Sequence, residues 1–333
     1  MFKIGRACLF TGLFYFLFLP LAAQDMERVN ELVNHFTSES EKEKLISLKE
    51  KAENETNPDT KLEYAELLIK LAAKNSLLDF LHSGYLQKGN ALQLKGDFVP
   101  ALDSYFESLQ LARQLKDVKG EGSLLISIAD TYNLIGNPET SEDYYMKGID
   151  ILRQTKDSVP LASALLNAGD GAYNAEKYDQ ALKYFEESGK IFREIDYPLG
   201  IAYNLGNVGM VYAVKGRDEE AKDNINQAIE ILQELEQYYP ISVFLTYMSD
   251  IYKKNNDFSA AFDFSERSLE LARLHGLKDQ ISEANLQLAR LYETTGDYKK
   301  DYQYYQDHII YRDSVTNLAA VQKMAELRNN YEN

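Results

Sequence analysis

Ile201-Ala-Tyr-Asn-Leu-Gly-Asn-Val-Gly-Met-Val-Tyr-Ala-Val-Lys-Gly216-Arg-Asp-Glu-Glu-Ala-Lys-Asp-Asn-Ile-Asn-Gln-Ala-Ile-Glu-Ile-Leu232 reads as two helices and the turn that joins them. Leu205, Val208, Gly209 and Tyr212 share a face of the first helix. Ala221, Ile225, Ala228, Ile229 and Leu232 share a face of the second. Three- and four-residue spacing is the stripe of a helix packed on one side. Lys215-Gly216-Arg217 is the break. Gly209 and Ala221 are small enough to let the helices cross closely, with Tyr212 and Ile225 filling the space beside the crossing.

Gly216 is one of six positions spaced 40 residues apart: Gly96, Gly136, Glu176, Gly216, Asn256 and Gly296. Each is followed by a turn-like pair such as Asp97-Phe98, Asn137-Pro138 or Asp297-Tyr298. Four residues before them stand Leu92, Tyr132, Ala172, Tyr212, Tyr252 and Tyr292. Five after stand Ala101, Ser141, Ala181, Ala221, Ala261 and Asp301. A fixed period of this size means one supersecondary unit stacked repeatedly, which is a solenoid. The prolines agree. Pro100 and Pro138 open a second helix, while Pro160, Pro198 and Pro240 precede the next unit, places where the missing N–H costs nothing. Helix pairs follow at 81–95/99–115, 121–135/138–155, 161–175/178–194, 201–215/218–236, 241–255/258–274 and 281–295/298–312. The region 24–80 reads as a degenerate helical cap, with Asn57-Pro58-Asp59-Thr60 starting a helix and the charged run from Glu39 to Glu55 as a solvated face.

The pattern of Ala289…Tyr292…Gly296-Asp297-Tyr298, repeated in phase, resembles the tetratricopeptide repeat over residues 81–312. The usual unit there is about 34 residues. The 40-residue form is similar to the longer repeats of kinesin light chains and related scaffold and sensor proteins. The resemblance implies an all-α fold, a right-handed superhelix of antiparallel helix pairs (a tetratricopeptide-type α-solenoid). Glu176 and Asn256 depart from the turn glycine, Ser265 from an aromatic, and Asp301 and His308 from small residues in the last unit.

The ends differ in composition. Lys3 and Arg6, the apolar run from Ala7 to Leu19, and Leu21-Ala22-Ala23 before Gln24 read as a secretory signal over 1–23, with a periplasmic or other extracytoplasmic destination. The only cysteine, Cys8, lies inside it. Residues 313–333 carry Leu318, Val321, Met324, Ala325 and Leu327 at helical spacing, after a cap at Asp313 or Ser314. This is a connector helix rather than a seventh repeat, and it must bury its stripe on the last helix pair or on a second copy in a dimer. The segment is similar to linkers after tetratricopeptide arrays in bacterial membrane signalling proteins, where an output domain such as a class III nucleotide cyclase or a histidine kinase follows a membrane span.

Charge and motifs narrow the function class. The formal net charge is −16, from 52 acidic and 36 basic residues. Nucleic-acid binding requires basic patches that displace counterions, and no such cluster is present. The four histidines show no metal-ligand spacing, no phosphate-loop or Gly-x-Ser-x-Gly motif occurs, and no cofactor is implied. Most of the 24 tyrosines fall at fixed phases and read as core wedges, with Tyr144-Tyr145 and Tyr304-Tyr305 as packing.

What remains is a polar face on the first helix of each pair. Nine residues before the turn come Gln87, Ser127, Asn167, Asn207, Tyr247 and Gln287. Six before come Asn90, Asp130, Asp170, Met210, Asp250 and Arg290. Three residues apart, the two series share a helix face. The resemblance places that face on a concave groove, with Asn167 and Asn207 as exposed residues holding peptide backbone. Asp130, Asp170 and Asp250 would favour a basic or donor-rich ligand. The expected function is an exported sensory or protein-interaction module, the input region of a signalling protein, with a free periplasmic scaffold as the alternative and an accessory presenting cell-wall polysaccharide as a third class. The chain itself carries no catalytic motif.

Overall fold

The computed structural model describes residues 41–74 and 76–312. The expected signal segment, the cap residues before 41 and the helix over 314–333 lie outside the described residues. Fourteen helices are described, in the order α1 Glu41–Asn54, α2 Pro58–Lys74, α3 Leu78–Leu94, α4 Phe98–Leu115, α5 Val118–Ile135, α6 Pro138–Leu152, α7 Ser158–Asn174, α8 Tyr178–Glu194, α9 Pro198–Val214, α10 Asp218–Glu234, α11 Tyr238–Lys254, α12 Phe258–Leu274, α13 Lys278–Thr295 and α14 over 298–312. No strand occurs among the described residues. The chain packs as two compact units that divide between Lys177 and Tyr178. Within each, successive helices pack on one another, and first helices of successive pairs also touch, as in α5 with α7 and α11 with α13.

The turns explain the regularity. All six periodic positions have a positive φ, between 60° and 85°, including Glu176 and Asn256. The residue after each donates its backbone N–H to the carbonyl five positions back, as Asp97 does to Leu92 at 2.9 Å and Asn137 to Tyr132 at 2.9 Å. That is the left-handed helix ending in which two orphan carbonyls find donors. A second series the sequence did not reveal, Ser76, Lys116, Asp196, Glu236 and Gly276, has φ from 50° to 65° and makes the same bond between pairs. The residue that closes one helix often caps the next. Asn137 Oδ1 accepts from Thr140 N at 3.2 Å, Asp257 Oδ1 from Ala260 N at 3.1 Å and Asp297 Oδ1 from Lys300 N at 3.2 Å. A turn of three residues therefore suffices.

Close crossings follow the small residues. A Cβ added at Gly209 would lie 2.7 Å from Ile225 Cγ1 and 3.0 Å from the Ala221 carbonyl, so helices α9 and α10 meet backbone to backbone. Two expectations change. The helix α1 is not wholly solvated: Leu45, Leu48 and Ala52 are buried, and the two leucines pack with Leu68 and Ala72 of α2, because apolar residues recur at helical spacing within the charged run. Tyr132, Tyr252 and Tyr292 are half-buried rather than core, stacking on Tyr144, Phe264 and Tyr304 with ring centroids 5.3–5.5 Å apart. Tyr145 is buried as packing requires, but Tyr305 is exposed. His308 is accommodated by Ser282, whose Oγ lies 2.9 Å from its Nδ1, mirroring Ser108 and His82 at 2.9 Å in the first repeat.

Gly209→Ala should lower stability by about 1–3 kcal/mol through overpacking of that crossing. Denaturant unfolding followed by circular dichroism checks it. An unchanged midpoint would mean that the crossing can open without cost.

Candidate functional site

The polar face of the first helices is built as separate hydrogen-bonded clusters within each unit rather than as a free surface. In the first unit, Lys61 of α2 is buried and donates through Nζ to the Ala52 carbonyl at 2.7 Å and to Gln87 Oε1 at 3.2 Å. It closes the end of α1, where orphan carbonyls need donors. Burial pulls its ammonium below the ordinary lysine range, opposed by Glu55 and Glu53. Asn90 Nδ2 reaches Gln87 Oε1 at 3.4 Å, and the Tyr105 hydroxyl donates to Asn90 Oδ1 at 2.9 Å.

One repeat on, the same places hold a carboxylate. The Tyr145 hydroxyl donates to Asp130 Oδ1, and Asn167 Nδ2 donates to Asp130 Oδ2 at 3.1 Å. Asp130 keeps some exposure as a residue, but its carboxyl is enclosed. Burial lifts its pKa to about 6 against the downward pull of those two bonds. Asp170 is buried, and enclosure together with the Asp130 charge holds its carboxyl well above the ordinary range. The Tyr145 phenol is pushed up by burial first and by Asp130 second. Asn167 Oδ1 is buried with no hydrogen-bond partner.

The second unit repeats the motif once. Gln287 Nε2 donates to Asp250 Oδ1 at 2.5 Å and reaches Ser249 Oγ at 3.4 Å, while the Ser265 hydroxyl donates to Ser249 Oγ at 2.8 Å. Gln287 Oε1 is buried and unpartnered. The structure thus brings together Gln87 with Asn90, Asp130 with Asn167, and Asp250 with Gln287. Asp170 lies near enough to this group to feel the Asp130 charge, whereas the Ser127 hydroxyl turns back to its own helix at Ser123 O, 3.4 Å away, and Arg290 is exposed.

The expectation that this face is exposed fails for half of its residues. Gln87, Asp170, Asn207, Met210, Tyr247 and Gln287 are all buried, Asn207 to 5% exposure. Adjacent first helices approach closely enough that side chains at these positions meet the neighbouring helix before they meet solvent. Sequence reading also missed the hydroxyls of Tyr105 and Tyr145 as members of the site. The signal was available: a tyrosine stands 15 residues after Asn90 and after Asp130, where the next three repeats carry Phe185, Ile225 and Ser265 and the last carries Tyr305.

Comparison with known proteins agrees with this architecture. The tetratricopeptide-repeat family model matches residues 160–234. Regulatory protein RapG of Bacillus subtilis (strain 168) is 21% identical over 187 residues, 55% of this chain and 51% of that protein. The chain spans about half the length of that curated relative. A Rap protein complexed with competence and sporulation factor superposes with a TM-score of 0.60 at 14% identity, over 89% of this chain and 93% of that one. Aspartyl phosphate phosphatase F from Bacillus subtilis gives 0.58 at 11% identity, over 86% and 87%. The fold is a tetratricopeptide-type α-solenoid. At these identities the likeness is one of fold alone. Among the described residues, no group of three or more His, Cys, Asp or Glu is arranged to hold a metal ion, and no helix is long and apolar enough to cross a membrane.

The raised Asp130 carboxyl sets a pH dependence. Between the ordinary value of 3.8 and about 6, the folded chain holds a proton that the unfolded chain has released. Stability therefore falls as pH rises through that window. Asp130→Asn keeps an acceptor for Tyr145 and can supply a donor for Asn167 Oδ1, so it should melt above the wild type at pH 7 and lose that advantage by about pH 4. Equal melting temperatures at pH 7 would contradict the burial argument. At the buried position, Asn207→Ala should cost about 1 kcal/mol in denaturant unfolding, while Ser127→Ala should cost nothing measurable.

Proposed function

We propose that this chain is a protein-interaction module that binds a peptide or protein segment along the first helices of its pairs. The observation that carries the reading is the polar face itself. Burying carboxyls and amides costs free energy that an apolar face would avoid, so their repetition from pair to pair favours use over packing. Asn90, Ser127, Asp130 and Asn167 in the first unit, and Asp250 and Arg290 in the second, keep part of their surface open. Those groups offer acceptors and carboxylates spaced by one repeat, which suits an extended ligand with regularly spaced N–H donors or basic side chains. The overall negative charge speeds encounter with such a ligand. A Rap protein that shares this fold has been solved in complex with competence and sporulation factor, which is in keeping with a binding role for such an array.

The finer parts of the proposal rest on the two ends. The basic, apolar and small-residue order of residues 1–23 supports export, with the mature chain beginning near Gln24. The apolar stripe of residues 318–327 supports a connector toward an output partner, making the chain the sensory part of a signalling protein.

Fluorescence anisotropy with two mixed-sequence peptide pools of equal length, one rich in Lys and Arg and one rich in Asp and Glu, tests the binding reading. The basic pool should bind, and Asp130→Asn with Asp250→Asn should weaken it about tenfold or more. Asp143→Asn with Asp263→Asn removes the same charge from exposed positions and should leave binding unchanged. Equal losses in both double variants would reduce the effect to bulk charge and sink the site.

A further inference from the structure

Two successive first helices hold a tyrosine hydroxyl in the same way, one with a neutral acceptor and one with a group that can take a proton. The Tyr105 hydroxyl donates to Asn90 Oδ1 at 2.9 Å, and one repeat on the Tyr145 hydroxyl donates to Asp130 Oδ1. An asparagine thus suffices to hold that tyrosine, so packing alone does not call for a carboxylate at 130. The second oxygen, Asp130 Oδ2, accepts from Asn167 Nδ2 at 3.1 Å, while Asn167 Oδ1 is enclosed and has no hydrogen-bond partner. The Asn167 amide is held at one end. A half-turn about its last torsion exchanges donor for acceptor at Asp130 and costs the other end no bond.

A proton decides which end faces Asp130. An ionised carboxylate only accepts, so Nδ2 must face it. With a proton on Oδ2, that O–H and the amide N–H would point at each other. The half-turn brings Asn167 Oδ1 round to accept the new O–H, and a buried acceptor left without a donor gains one. The titratable groups that face Asp130 are Tyr105 from α4, Tyr145 from α6 and Asp170 from α7. Helix α3 meets α5 through Gln93, whose Nε2 donates to Thr131 Oγ1 at 2.8 Å and which does not titrate.

We propose that Asp130 and Asn167 form a proton-operated switch on the ligand face: ionised, the pair presents acceptors and holds a basic segment, and protonated on Oδ2, with the amide turned over, it releases that segment. The release rests on the binding reading above. Proton and basic ligand compete for Asp130, so each weakens the other. Burial lifts this carboxyl to about 6, which puts binding above that pH and loss of binding below it. At pH 5 about one chain in ten keeps Asp130 ionised, so binding should be about tenfold weaker than at pH 7.

Two measurements on the full chain test it. NMR of isotope-labelled asparagine amides and aspartate carboxyls, without ligand, should show the Asn167 amide shifting with pH at the midpoint of the Asp130 carboxyl. Tyr145→Phe removes a bond that favours the ionised form, so both midpoints should rise together. In Asp130→Asn the Asn167 amide should keep its low-pH position throughout. An Asn167 amide that does not follow Asp130 overturns the switch, whether or not a peptide binds. Fluorescence anisotropy with the pool rich in Lys and Arg, whose own charge is constant over this range, should show the loss of about tenfold between pH 7 and pH 5. Asp130→Asn should abolish that difference. Equal binding by the parent at both pH values overturns the release. No binding at pH 7 sinks the binding reading and the release with it, while the amide signal still decides whether proton and amide move together.

Discussion

Everything periodic in this chain depends on a left-handed residue that ends a helix and a following residue that starts the next. Once the N–H after the turn has bonded to the carbonyl five residues back, the exit direction is set within three residues. The same geometry recurs about every 20 residues, at Ser76, Gly96, Lys116 and Gly136 and again at Glu176, Asp196, Gly216, Glu236, Asn256, Gly276 and Gly296. Equal turns impose equal helices, so most run 17 or 18 residues. The departure tests the rule. Between α6 and α7 the turn position carries Lys156 with no positive φ, and α6 stops short at Leu152.

Equal helices at equal exit angles then bring like positions of successive first helices side by side. That is how Gln287 comes to Asp250, and Asn167 reaches Asp130 in the same register even though the turn at Lys156 lies between them, each pair 37 residues apart. The second helices contribute by the same logic. The Tyr145 hydroxyl reaches Asp130, as the Tyr105 hydroxyl reaches Asn90. A backbone rule made for folding thus sets polar groups of neighbouring first helices against one another at a regular repeat.

The turn series with glycine was legible in the sequence, since four of its six members are glycines and the others stand in phase. The alternate series was not, because Ser76, Lys116, Asp196 and Glu236 carry no mark of positive φ. A side chain that tolerates left-handed backbone at a cost of about 1–2 kcal/mol announces nothing by its identity. The residues of the polar face were legible as a set but their burial was not. Whether Asn207 or Gln287 meets water depends on how near the neighbouring first helix comes, and no pattern within one helix contains that distance. The cap helix α1 fails differently: Leu45, Leu48 and Ala52 carry the right spacing, but the charges around them outweighed it.

The burial of this face bears on what it can do. A solvated row of asparagines and aspartates would lose side-chain entropy on meeting a ligand, by up to about 1 kcal/mol for each group ordered. Here Asp130 is already held by Tyr145 and Asn167, and Asp250 by Gln287, so that ordering is complete before any ligand arrives. The cost has moved into folding, where it appears as the raised Asp130 carboxyl. A face arranged this way trades stability for geometry fixed in advance. On the proposed reading, an incoming donor meets acceptors already held in place within each unit.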